Sequence, residues 1–143
     1  MRTIKFRAKT SHGYWGYGSL LIWPDGKAML YDTLLPDGSM GGVVVDPDTV
    51  GQFTGFYDKD EREIYDGDVF QVNGGPYHLI KWLDELGGFG ACNLVSMRVL
   101  KRWPDRCLFN IPGQKWWQDF KQEIVVVGNI HDNPDFLDRF KEK

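Results

Sequence analysis

The chain has 143 residues, which suits one domain with at most a small N-terminal subdomain and suffices to bury a core without disulfide or metal support. Its 17 basic and 20 acidic residues leave a net charge of -3, an ordinary balance that gives no global pull toward nucleic acid. No stretch reaches the ~20 apolar residues of a membrane span, and no apolar segment follows the charged N-terminus as in a signal peptide. A cytoplasmic protein without a membrane partner is therefore expected. Cys92 and Cys107 make no disulfide framework and read as reduced, partly buried thiols. The aromatic content of 15%, with 17 glycines to supply turns, argues for strands and against a helical bundle.

In chain order, Ile4, Phe6 and Ala8 alternate with Lys5, Arg7 and Lys9, the pattern of a half-buried strand with a basic outer face. Tyr14 to Trp23 is apolar and Gly-rich, Pro24-Asp25-Gly26 is a turn, and Lys27 to Leu35 returns as a hairpin partner. Val43-Val44-Val45 reads as a short buried strand closed by Asp46-Pro47-Asp48. Residues 1–48 thus form an N-terminal antiparallel β unit.

Residues 49–143 form the second expected domain. Val50 to Tyr57 and Glu63 to Val72 are β-type runs around the charged turn Asp58-Lys59-Asp60-Glu61. Asp66-Gly67-Asp68 interrupts the second run where a positive φ suits glycine. Strands follow at Tyr77 to Leu83, Phe89 to Val95 and Glu123 to Asn129. Residues 96–122 are broken by Trp103-Pro104 and Ile111-Pro112-Gly113 and read as an insertion, partly helical near Lys115 to Phe120. A terminal helix starts at Asn133-Pro134, with Asn133 as N-cap and Phe136, Leu137 and Phe140 on its inner face.

No pattern of catalytic chemistry emerges. The acidic residues Asp58, Asp60, Glu61, Glu63, Asp66 and Asp68 would make a calcium loop only with Gly at position six and Glu at position twelve. Counted from Asp58, those positions hold Glu63 and Val69, so turn chemistry and solvated charge explain the cluster better. His12, His78 and His131 lack second ligands at zinc spacing. Gly13 to Gly18 interleaves glycine with Tyr14, Trp15 and Tyr17 but lacks the Gly-Lys-Ser/Thr of a phosphate loop, which leaves a twisted hairpin strand. No catalytic residue, metal or cofactor is expected.

The strongest functional candidate is the insertion. It carries six basic residues (Arg98, Lys101, Arg102, Arg106, Lys115, Lys121) against Asp105 and Asp119, a net of +4, while the remainder of the chain carries -7. Trp103, Trp116 and Trp117 interleave with that charge. Arg98, Lys101, Arg102, Trp103, Trp116 and Trp117 form the candidate contact surface. Exposed Trp beside Arg stacks bases while cations hold phosphates, and it equally anchors a protein partner. The competing reading makes these tryptophans a cap on the core with the charges as a solvated rim.

Three blocks resemble one known family. They are Arg2–Ala8, with Ile4-Lys5-Phe6-Arg7-Ala8; Asp46–Val72, with the pattern GQxTGxxDKxxxxIYxGD; and Ile124–Leu137, with GNIHDNPDFL. In this order they resemble the YopX family of phage and prophage proteins. The resemblance implies an SH3-like C-terminal β-barrel and a phage or prophage origin, and it carries no catalytic residues. The expected fold is mainly β: the antiparallel unit, an SH3-like small barrel and a short C-terminal helix. The expected function is a non-enzymatic binding or assembly module with a protein partner, self-association included. The alternatives are single-stranded nucleic-acid binding through the insertion and an enzyme of unknown class.

Overall fold

The computed structural model is mainly β, in agreement with the alternation and aromatic content of the chain. It describes residues 3–34, 40–84, 87–94, 109–110, 119 and 121–137. Two compact units divide the chain after Gly55.

The first unit contains β1 (Phe6–Lys9), β2 (Trp15–Ile22), β3 (Ala28–Leu34), β4 (Met40–Val45) and most of β5 (Gly51–Tyr57). These strands are antiparallel neighbours in the order β4-β3-β2-β1-β5. Pro24-Asp25-Gly26 turns as its composition dictates: Gly26 N–H donates to the Trp23 carbonyl at 2.9 Å, and Asp25 Oδ1 accepts the Lys27 N–H at 3.0 Å. A bridge from Thr10 to Val45, with the Asp46 N–H donating to the Lys9 carbonyl at 2.8 Å, ties one end of β1 to the end of β4. The sheet therefore curls. Its inner face holds a small core of Ala8, Ala28, Leu30 and Val45, packed by Phe6, Leu20, Val43 and Val50.

Period two gives this unit its strands and most of its inward residues, with three departures. Ile4 is exposed, because β1 begins only at Phe6. Arg7, expected on a solvated basic face, is buried. Val44, expected in a buried strand, is 54% exposed, because β4 has a core on one face alone.

The second unit contains β6 (Glu63–Tyr65), β7 (Asp68–Val72), β8 (Tyr77–Leu83), β9 (Gly88–Asn93), β10 (Phe109–Asn110) and β11 (Ile124–Asn129). Five of them make an antiparallel sheet in the order β10-β9-β8-β7-β11. Among the described residues, no closed SH3-like barrel is found. A barrel has one interior, whereas this sheet has an apolar cluster on each face. Phe70, Ile80, Ala91, Ile124 and Val126 pack with Ile64 on one side. Val69, Leu79, Cys92 and Leu94 pack with Ile130, Phe136 and Leu137 on the other. Consecutive burial of His78, Leu79 and Ile80 in the central strand β8 follows from that two-sided cover.

Two local expectations change. The insertion contributes β10, an edge strand paired with β9 through Phe109 and Asn110, and so is not wholly irregular. Residues 135–137 are helical, but the Asn133 side chain does not cap them. Its Oδ1 accepts the Asn129 N–H at 3.3 Å and holds the end of β11.

Candidate binding surface

The outer face of the first unit's sheet is built by alternation. Along β2, Gly16 and Leu20 face the core, while Trp15, Tyr17, Ser19 and Leu21 face outward. Strand register then sets the neighbours: Lys9 lies opposite Trp15, Arg7 opposite Tyr17, Ser19 opposite Tyr31 and Leu21 opposite Met29. Met29 in turn faces Val44, and Tyr31 faces Gly42. A Cβ at Gly42 would lie 2.7 Å from the Tyr31 ring, so this glycine is what lets the ring lie over β4.

The face divides into two halves of different chemistry. On the β1 side, Arg7 stands 4.7 Å and Lys9 5.3 Å from the Trp15 ring, so the cations lie over an aromatic. Such pairing, with the long side-chain stems laid on the ring, explains how Arg7 is buried on an outward position. On the β3–β4 side the surface is apolar. Leu21, Trp23 and Val44 are all exposed, and Val44 reaches 54%; Ile22 is exposed too, but by alternation it stands at the strand end on the core-side face, opposite Ala28. Between the β2–β3 turn and β4 lies an open cavity of about 310 Å³, lined by Trp23, Asp25, Lys27, Ala28, Met29 and Val44. Large aliphatic side chains grouped around a cavity, rather than scattered singly, mark an interaction surface.

This surface was missed when the insertion was singled out. Its signal lay in the consecutive apolar residues Leu20-Leu21-Ile22-Trp23 and Val43-Val44-Val45. In an antiparallel strand such runs leave apolar side chains on both faces, and the small curled core occupies only one.

The acidic residues do other work. Asp58 is fully buried; its Oδ1 accepts the N–H groups of Asp60 and Arg62, each at 2.9 Å, and its Oδ2 accepts the Val126 N–H at 3.1 Å. With the Lys59 N–H donating to the Ile124 carbonyl at 2.9 Å, the turn is fastened to β11. Asp68 Oδ2 accepts the Tyr65 N–H at 2.8 Å, and Asp66 Oδ1 accepts the Trp82 N–H at 3.2 Å. Glu63 Oε1 accepts the Tyr65 hydroxyl at 3.1 Å, and Glu61 pairs with Lys121 at the surface. Among the described residues, no three His, Cys, Asp or Glu side chains are arranged to hold a metal ion.

Gly67, at φ +95°, donates its N–H to the Ile80 carbonyl at 2.8 Å and accepts the Ile130 N–H at 3.0 Å. Asn129 is buried; its Oδ1 accepts the His131 and Asp132 N–H groups, and its Nδ2 donates to Asp132 Oδ2. The two most distinctive sequence blocks, around Gly67 and Asn129, are thus joined by a backbone network that holds the second unit's fold.

Of the three histidines, His12 is exposed beside Tyr14. The His131 ring lies against Gly67. His78 is buried, stacked 5.2 Å from Phe70, with Nδ1 at 3.0 Å from the Pro76 carbonyl. Burial lowers its pKa, against a smaller upward pull from that carbonyl. Arg98, Lys101, Arg102, Trp103, Trp116 and Trp117 lie outside the described residues. Cys92 is disulfide-bonded, which overturns the expectation of a reduced thiol; the sequence has one other cysteine, Cys107, also outside the described residues. No helix among the described residues is long and apolar enough to cross a membrane.

The family model described as YopX protein matches residues 5–138. The structure is similar to the crystal structure of protein EF1440 from Enterococcus faecalis. The two share 20% sequence identity at a TM-score of 0.51, over 96% of this chain and 99% of that one. At that identity the similarity shows the fold alone. No curated protein matches the chain.

Proposed function

The chain belongs to the YopX family, and on that premise we propose a non-enzymatic binding or assembly module of phage or prophage type. Its working surface is the apolar half of the first unit's outer sheet face. The observation that carries this reading is the exposure of Leu21, Trp23 and Val44 on this unit, with Trp23 and Val44 lining the cavity at the β2–β3 turn. A folded chain leaves such a patch uncovered where a partner covers it. The polar residues that could suggest chemistry are instead engaged in holding backbone, as Asp58, Asp68 and Asn129 are. A protein partner fits best, because the patch offers large aliphatic and aromatic anchors beside a pocket.

A photo-crosslinking residue placed at Leu21 tests this. Discrete protein adducts are expected at this position and not at Asp48, which is exposed on the Pro47–Thr49 turn. Absence of adducts at Leu21, in lysate and at high concentration of the purified chain, would count against the reading.

A second reading, single-stranded nucleic-acid binding, draws on the basic-aromatic half, where Lys9 and Arg7 approach Trp15. It extends the expectation attached to the insertion. Oligonucleotide affinity that falls steeply with salt would favour it.

A further inference from the structure

We propose that the cavity at the β2–β3 turn is an anchor site for an acidic peptide segment of a protein partner, which seats an aromatic side chain in the cavity and sets a neighbouring carboxylate on Lys27. The inference rests on the binding reading above and names the chemistry of the partner.

The anchor follows from the walls. Trp23, Ala28, Met29 and Val44 make them mainly apolar, and Asp25 and Lys27 supply the charged groups. A cavity of about 310 Å³ lies at the lower end of ligand sites, roughly 300–1,000 Å³, so it suits one side chain rather than an extended ligand. An aromatic ring matches these walls best. It meets the Trp23 indole in an offset or edge-to-face arrangement, and the polarizable Met29 thioether contacts its edge. Local structure holds the walls in place. Met29 lies opposite Val44 in the β3–β4 ladder, and the Trp23 backbone N–H donates to the Lys27 carbonyl at 2.8 Å.

The acidity of the partner follows from charge. The chain as a whole carries -3, yet residues 3–31 hold Lys5, Arg7, Lys9 and Lys27 against Asp25 alone, four cations to one carboxylate and a net of +3. A basic segment in an acidic chain selects an acidic partner at encounter. Asp25 is committed to the turn, where its Oδ1 accepts the Lys27 backbone N–H at 3.0 Å. Its Oδ2 stands 3.8 Å from Lys27 Nζ, with the two side chains 57% and 79% exposed. So long and exposed a pair contributes little. Lys27 can therefore turn its ammonium to a carboxylate at the cavity mouth without losing a strong contact.

Titration of the ¹⁵N-labelled full chain with three capped peptides tests the proposal. One has phenylalanine between aspartates, the second has lysines in place of the aspartates, and the third has alanine in place of the phenylalanine. Saturable shifts at Trp23, Met29 and Val44 are expected with the first. The lysine peptide should bind roughly 5-fold more weakly, the size of one exposed ion pair, and the alanine peptide should leave these signals in place. Lys27→Glu, at an exposed position, should reverse the preference between aspartate and lysine. Absence of saturable shifts would overturn the proposal. So would equal affinity for the two charged peptides, or a preference that Lys27→Glu leaves unchanged. Shifts of the same residues that grow with protein concentration alone would place a second copy in the cavity and overturn it as well. Adducts from Leu21 to another protein, without any peptide shift, would overturn it while leaving the broader binding reading in place.

Discussion

His78 shows what one buried side chain demands of the fold. Its ring stacks on Phe70 inside the second unit, and burial lowers its pKa below the ordinary value of 6.5. The folded state therefore prefers the neutral ring. Above pH 6.5 both states are neutral and the stability is complete. As pH falls below 6.5 the unfolded chain takes up a proton that the folded chain resists, and stability declines until the lower folded-state pKa is reached. A slope of up to about 1.4 kcal/mol per pH unit is expected in that window from this single group. Urea unfolding of the wild type and of His78→Phe between pH 5 and 7 checks it. The wild type should lose more stability on acidification than the variant, and equal losses would contradict the assignment. Nothing in the sequence around His78 announced this burial, because a histidine in an alternating strand takes its environment from whatever covers that face.

At the scale of elements, the Asp66-Gly67-Asp68 link between β6 and β7 was legible, and the structure gives it physical content. Gly67 has φ +95°, while a Cβ there would meet His131 no closer than 3.6 Å. The demand for glycine is thus conformational rather than steric. Gly67→Val should cost more than ~1 kcal/mol, since a β-branched residue is strained at positive φ. An unchanged midpoint in urea would contradict the account. The surrounding strands were equally legible, because alternation and turn residues are local signals; Tyr77–Leu83 begins and ends where its pattern says. The role of Asp58 was not legible. Its third hydrogen-bond donor, the Val126 N–H, lies 68 residues away, and no local pattern encodes such a contact. The N-cap expected of Asn133 failed for a related reason: the end of β11 claims its side-chain oxygen first.

At the scale of the whole molecule, the chain makes two units, each with its own antiparallel sheet and its own use for aromatic and aliphatic residues. The second unit covers both faces of its sheet, which is why its β-rich sequence does not close into a barrel. The first unit buries little, and so leaves Leu21, Trp23 and Val44 exposed. The mainly β class and the family could be read from composition and the ordered motifs. The binding surface could not, because it depends on which face of each strand the core selects. The central claim is that this face serves contact and not core. The most direct measurement is a Leu21→Asp variant followed by sedimentation and by thermal melting. Leu21 is 44% exposed, so the variant should lose association while its melting temperature stays within about 2 °C of the wild type. A melting temperature that collapses, or association that survives intact, would contradict it.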